Sequence, residues 1–219
     1  MMRLTSKHLF WLKAVMHLVA LWPIAYLVIS VASGDAGGDP VQYIIHYTGV
    51  GALNALVILL MISPLARRFK QGILMQTRRL IGLYVFTYAS LHILAFISLD
   101  LLFEWSLLFQ EIFKRPYILV GAVAYLILIA LSITSLKVIR KKMGRRWQQL
   151  HNWVYLVAIL VPIHFYWSVK SEIIEPSIYI LIVIGLLTLR LPIGKKLSQI
   201  FTKSYIGKLF FHKFLKDYQ

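Results

Sequence analysis

The stretch Arg146-Trp147-Gln148-Gln149-Leu150-His151-Asn152-Trp153-Val154-Tyr155-Leu156-Val157-Ala158-Ile159-Leu160-Val161-Pro162-Ile163-His164-Phe165-Tyr166-Trp167 decides how this chain is read. Its apolar run is long enough to cross a membrane, yet it carries His151 at one end, His164 near the other, and Pro162 between them. Ionisable or metal-ligating groups at membrane depth are costly and mark routes for ions, protons or electrons. Neutral imidazole is also a common axial ligand of haem iron. On an unbroken helix these two histidines stand roughly 20 Å apart along the axis and about 140° apart around it. One then lies toward the inner leaflet and the other in the outer half. They face different neighbours unless Pro162, which removes a main-chain hydrogen bond, bends the helix between them.

A third histidine fits this frame. His92 is as far from the boundary residue Arg79 as His164 is from His151, so His92 and His164 are expected at one depth on separate helices. Two imidazoles at one level can grip one iron from opposite sides, giving a six-coordinate haem suited to electron transfer. His151 is expected to serve a second, inner haem or to cap the same electron path on the cytoplasmic side. Its partner is open between His17 and a vacant coordination position, because Arg78 and Arg79 occupy the stretch where another third-span histidine is expected. The competing reading gives each ring a hydrogen bond to a serine, tyrosine or carbonyl of another helix. Matched depth favours ligation for His92 and His164.

The other histidines carry less. His46 opens the second span, either as a quinone- or proton-handling residue or as an ordinary interfacial side chain, and His8 and His212 lie in basic terminal segments. Gly49, Gly51, Gly82 and Gly121 mark places for a porphyrin face or a close helix contact, the latter being the default for membrane glycine.

The composition makes these spans part of a larger pattern. The chain has 219 residues, of which 59% are hydrophobic, and a mean hydropathy of +0.74. Six apolar runs can be counted, over residues 9–31, 44–62, 80–102, 117–136, 152–169 and 177–191, each taken as a helix crossing a core of ~30 Å. The expected fold is therefore all-α: a polytopic six-helix haem-binding bundle, one transmembrane domain over residues 1–219. The first run follows Arg3, Lys7 and Lys13 and ends at Ser30-Val31-Ala32, a cleavage-like site, but its length, His17 and Pro23 are expected of a retained span. Between the third and fourth runs, Phe103-Glu104-Trp105-Ser106-Leu107-Leu108-Phe109 suits a short interfacial helix. Residues 195–219 read as a basic amphipathic tail lying on an anionic inner leaflet.

A formal net charge of +16 invites nucleic acid, but the placement of the charges speaks for topology. With both termini cytoplasmic, the inner segments hold 21 of the 24 lysines and arginines, and the outer loops hold Lys114, Arg115 and Lys170. Seven of the eight acidic residues fall outside, so the positive-inside rule sets the orientation and no nucleic-acid role is expected. Absences narrow the chemistry further. There is no cysteine, which removes disulfides and Cys-ligated iron–sulfur or zinc sites. No Gly-rich dinucleotide fingerprint or P-loop is present either, so electrons are expected from quinol or a separate flavoprotein.

Several of these motifs together resemble a known family. Arg145-Arg146-Trp147-Gln148-Gln149-Leu150-His151-Asn152, Val161-Pro162-Ile163-His164, Trp167-Ser168-Val169-Lys170, Ser63-Pro64-Leu65-Ala66-Arg67, Thr77-Arg78-Arg79-Leu80-Ile81-Gly82-Leu83 and His92 closely resemble the bacterial MsrQ family, formerly YedZ. The similarity covers nearly the whole chain and weakens in the tail. That family belongs to the ferric-reductase-like transmembrane group, with the membrane part of NADPH oxidases. The resemblance implies a haem b protein of a Gram-negative inner membrane, with one haem or two, that passes electrons outward to a periplasmic molybdopterin enzyme, MsrP, which repairs methionine sulfoxide. It also implies FMN as a second cofactor, and the quinone pool or a cytosolic flavin reductase as donor. Relative to the oxidases, this chain lacks one third-span histidine and the dehydrogenase domain. Two alternatives differ in kind: a stand-alone transmembrane ferric or oxygen reductase, and a non-redox transporter or scaffold whose histidines move protons or only pack.

Overall fold

The computed structural model describes residues 5–169 and 171–190. Among the described residues all regular structure is helical: α1 (Ser6–Ala32), α2 (Pro40–Arg68), α3 (Arg78–Ala95), α4 (Trp105–Lys114), α5 (Pro116–Thr134), α6 (Lys137–Met143), α7 (Arg145–His151), α8 (Val154–Ser168) and α9 (Ile174–Thr188). A 3₁₀ segment, Gly72–Thr77, leads into α3, and a π-helical turn, Phe96–Asp100, leaves it. The tail at 195–219 and His212 lie outside the described residues.

The boundaries follow from local chemistry. At the start of α2 the Asp39 carboxylate accepts from the Gln42 N–H at 3.0 Å, and Pro40 stands where a missing N–H costs nothing. Pro116 opens α5 in the same way. Gly144, at φ +54°, makes the corner between α6 and α7 that a residue with a Cβ adopts only under strain. Within the segment read as an interfacial helix, Trp105–Lys114 form α4, with Phe109 and Phe113 exposed.

Five helical segments are long and apolar enough to cross a membrane: Lys7–Ala32, Pro40–Arg68, Gly72–Asp100, Pro116–Thr134 and Arg145–Ser168. The run expected at 177–191 is represented by α9, whose 15 residues span ~22 Å, short of a ~30 Å hydrocarbon core. Among the described residues five helices thus qualify as spans by length and composition, against the six apolar runs of the sequence.

The core lies between α2, α3, α5 and α8, where Leu56, Leu60, Val85, Leu128, Val157 and Ala158 are buried, and Val183 of α9 closes it on one side. The tightest neighbours are α2 with α3 and α5 with α8, so the bundle is built from two helix pairs. α1 is peripheral: its apolar window is 11% buried against 39% for α2. Two polar ties hold it, the Tyr88 hydroxyl donating to the Ala20 carbonyl at 2.7 Å and His17 Nδ1 at 2.6 Å from the Tyr84 hydroxyl. Exposed Trp11, Leu18 and Trp22 on α1, and Leu126 and Leu181 elsewhere, give the exterior an apolar surface suited to lipid.

Candidate functional site

His92 on α3 and His164 on α8 face each other across the bundle, with ring centres 6.1 Å apart and ring planes at 83°. Each ring is held through the same atom. Nδ1 of His92 donates to the Ile45 carbonyl at 2.9 Å, and Nδ1 of His164 donates to the Tyr117 carbonyl at 2.7 Å. Nδ1 carries the proton in both, since a carbonyl can only accept, and this leaves the Nε2 lone pairs as the free ligating positions. A backbone carbonyl behind a ligating histidine fixes its tautomer and orientation.

Each ring also rests against a glycine. A Cβ on Gly49 would stand 3.0 Å from His92 Nδ1, and one on Gly121 would stand 2.8 Å from Nδ1 and Cε1 of His164. The close-contact role weighed for membrane glycines therefore applies at these two positions, where the contact is the imidazole itself. Gly51 serves a different approach, its Cβ position lying 2.6 Å from Tyr88 Cδ1. Gly82 has Leu59 Cδ2 at 3.9 Å, an ordinary contact.

These two units share one spacing. Carbonyl and histidine are 47 residues apart in both cases, and the glycine follows the carbonyl by one helical turn. From Ile45 to Tyr117, Gly49 to Gly121 and His92 to His164 the step is the same 72 residues. The repeat escapes detection because only three positions per unit have a fixed task, while lipid-facing residues are free to differ.

At the same end, His46 Nε2 lies 3.8 Å from the Glu175 carboxylate, both half exposed, and its ring tilts against Phe165 at 5.7 Å. Arg115 bonds the Tyr117 hydroxyl and pairs with Glu111; these contacts push its basicity above the ordinary arginine value, with the tyrosine bond the larger cause.

His151 is elsewhere. Its helix α7 ends at the residue itself, and Asn152 and Trp153 separate it from α8, so the two histidines of the quoted stretch do not share an unbroken helix. The interruption lies at Asn152–Trp153, whereas Pro162 sits buried within α8. His151 Nε2 is 3.1 Å from the Thr134 hydroxyl, and its ring stacks on Trp147 with centres 4.0 Å apart. His17, weighed as its partner, bonds Tyr84 instead; α1 packs on α2 and the 3₁₀ segment, while α7 packs on α5 and α6.

Residues 48–162 match the family described as the ferric reductase like transmembrane component. The chain belongs to this family. As a ferric reductase like transmembrane component it is a multi-pass membrane protein with a role in transmembrane electron transfer. The match contains Gly49, His92, Gly121 and His151 and stops two residues before His164.

Proposed function

We propose that this ferric reductase like chain is a haem b electron-transfer subunit, with His92 and His164 as the two axial ligands. The observation that carries the reading is the 6.1 Å separation of the two rings, each tied through Nδ1 to a carbonyl. Two imidazoles trans on one metal, each with nitrogen about 2 Å from it, put their ring centres roughly 6 Å apart. Among the described residues no group of three or more His, Cys, Asp or Glu converges. A pair of imidazoles therefore suits a metal that arrives with its equatorial positions already filled, as haem iron does.

The bound haem would supply a one-electron relay within the bilayer. The chain's own residues do the rest. Ile45 and Tyr117 accept from the Nδ1–H groups and so fix the tautomer and orientation of both rings. Gly49 and Gly121 let those rings lie against α2 and α5. His151, on the basic side, is placed along the path by Thr134 and Trp147, and we assign it no second axial partner.

The narrower reading follows the resemblance to the MsrQ family. In it the chain sits in a bacterial inner membrane with both termini cytoplasmic, the apolar run around α9 serving as the sixth span. Electrons enter from the quinone pool or a cytosolic flavin reductase, pass outward, and reach a periplasmic molybdopterin methionine sulfoxide reductase, MsrP. FMN as a second cofactor belongs to this reading by resemblance alone. The support is the family, the asymmetric distribution of basic residues and the lack of a nucleotide-binding segment.

The test is a reduced-minus-oxidised spectrum and haem-to-protein ratio of the purified chain, followed by methionine sulfoxide reduction when it is mixed with the molybdopterin enzyme. A low-spin haem spectrum and coupled turnover are expected. A purified chain without a Soret band sinks the haem reading; a haem protein that reduces ferric iron or oxygen but never the molybdopterin partner sinks the narrower one.

A further inference from the structure

At the basic end of the bundle, away from His92 and His164, the end of α2, the 3₁₀ segment, the start of α8 and the residue pair after α9 surround a cavity of about 300 Å³ lined by Ser63, Arg67, Met75, Tyr155 and Arg190. Arg190 reaches inward to donate one Nη to the Leu60 carbonyl and the other to the Tyr155 hydroxyl at 2.8 Å, its guanidinium lying over the Tyr155 ring at 5.2 Å from the centroid. Arg78 also bonds the Tyr155 hydroxyl. A phenol oxygen has two acceptor lone pairs, and here two guanidinium groups use them, leaving its own O–H free to donate.

The remaining donors have no acceptor. Nε of Arg78 and Nε of Arg190 are both buried, and neither has a hydrogen-bond partner. Arg67 spends its Nε on the Ser63 carbonyl at 3.3 Å. The two ion pairs among the described residues, His46 with Glu175 and Arg115 with Glu111, involve none of these arginines. Three guanidinium groups and a phenol thus converge without an anion. Like charges gathered at the edge of a low-dielectric bundle repel, and buried N–H groups left unmade are costly. Guanidinium is also the group whose geometry suits a phosphate oxyanion.

We infer that the cavity lined by Arg67, Tyr155 and Arg190, with Arg78 bonded to Tyr155 behind it, is a binding site for a phosphate-bearing ligand, whose oxygens accept from the guanidinium groups that line it and from the Tyr155 hydroxyl. At about 300 Å³ the cavity exceeds a bare phosphate and matches the small end of organic-ligand clefts. Met75 and the Tyr155 ring offer the group carried by the phosphate an apolar wall. The source is either a soluble phosphomonoester or a phospholipid headgroup, and both present the same oxyanion. The inference stands apart from the haem reading, because none of these side chains is assigned to the histidine pair.

The experiment uses the full chain purified in a phosphorus-free detergent. Inorganic phosphate and phenyl phosphate are titrated against its thermal unfolding midpoint, and dioleoyl-phosphatidylglycerol is added in a parallel arm read by native mass spectrometry. Saturable binding is expected, with phenyl phosphate tighter than inorganic phosphate if the source is soluble, or retained phosphatidylglycerol if it is lipid. Arg78→Gln and Arg190→Gln should weaken binding at least tenfold, while Arg68→Gln, an equal charge loss at the same end but outside the cavity, should not. Arg190 also braces Leu60, so Tyr155→Phe and Arg190→Lys provide variants that keep most of the packing; Tyr155→Phe should weaken binding several-fold. No binding of any of the three probes, or binding equal in Arg68→Gln, Tyr155→Phe and both Gln variants, overturns the inference.

Discussion

The helix pairs α2/α3 and α5/α8 place the same three groups in the same order and then part company. At one end, Ile45, Gly49 and His92 in the first pair correspond to Tyr117, Gly121 and His164 in the second, and the two imidazoles meet. At the other end the correspondence fails: one 72-residue step from Arg79, in α3, arrives at His151, in α7 just before α8, so an arginine stands where the later stretch has an imidazole. The matched end is built symmetrically and suits a metal held from both sides. The unmatched end has a histidine with Thr134 and Trp147 for company, and a cluster of arginines around Tyr155. The symmetric end offers two imidazoles to one point, and the asymmetric end offers one imidazole and a group of arginines.

The largest effect should come from breaking the matched end. His92→Ala and His164→Ala are each expected to abolish the low-spin spectrum, to the same extent, because either loss leaves one axial position empty. His151→Ala should leave that spectrum in place. Visible and electron paramagnetic resonance spectra of the three purified variants decide the matter. Survival of the low-spin form in either of the first two would show that the pair is not the ligand set.

The glycines give a graded version of the same comparison. Gly121→Ala puts a methyl 2.8 Å from His164, and Gly49→Ala puts one 3.0 Å from His92. Overpacking of this kind costs about 1–3 kcal/mol, and here it pushes on the ligating ring itself. Gly121→Ala is expected to lower haem occupancy more than Gly49→Ala. Gly51→Ala supplies the contrast: its Cβ meets Tyr88 at 2.6 Å, and Tyr88 anchors α1 through the Ala20 carbonyl rather than touching the histidine pair. That variant should lose thermal stability by a similar amount while its spectrum is unchanged. Equal spectra in all three variants would break the link between glycine and ligand.

Much of the fold was legible because bilayer thickness sets a length and lipid sets a composition, both readable as apolar runs. The sixth apolar run ends at residue 191, whereas α9 covers Ile174–Thr188 among the described residues, because hydropathy alone does not set the ends of a helix. Depth was legible too: counting from Arg79 and from His151 put His92 and His164 level, and their rings do face each other. What counting along a helix could not give was the break at Asn152–Trp153, because neither residue is a strong helix breaker and the interruption depends on how α7 packs against α5 and α6. The arginine cavity was equally hidden. Arg67 and Arg78 lie far from Arg190 in sequence, and nothing in that spacing shows that Tyr155 gathers Arg78 and Arg190.

The smallest expected effect tests whether the unmatched end is independent of the matched one. Thr134 holds His151 through its hydroxyl at 3.1 Å while also bonding the Ala130 carbonyl at 2.6 Å. Thr134→Val keeps the shape of the side chain and removes both bonds. Loss of a neutral hydrogen bond of this kind costs about 1 kcal/mol, and the Trp147 stack still holds the ring from one face. The unfolding midpoint should therefore fall slightly, with the low-spin spectrum and haem content unchanged. A change in the spectrum instead would mean that His151 reaches the histidine pair electronically or through α8, and that the two ends of the molecule work as a single site.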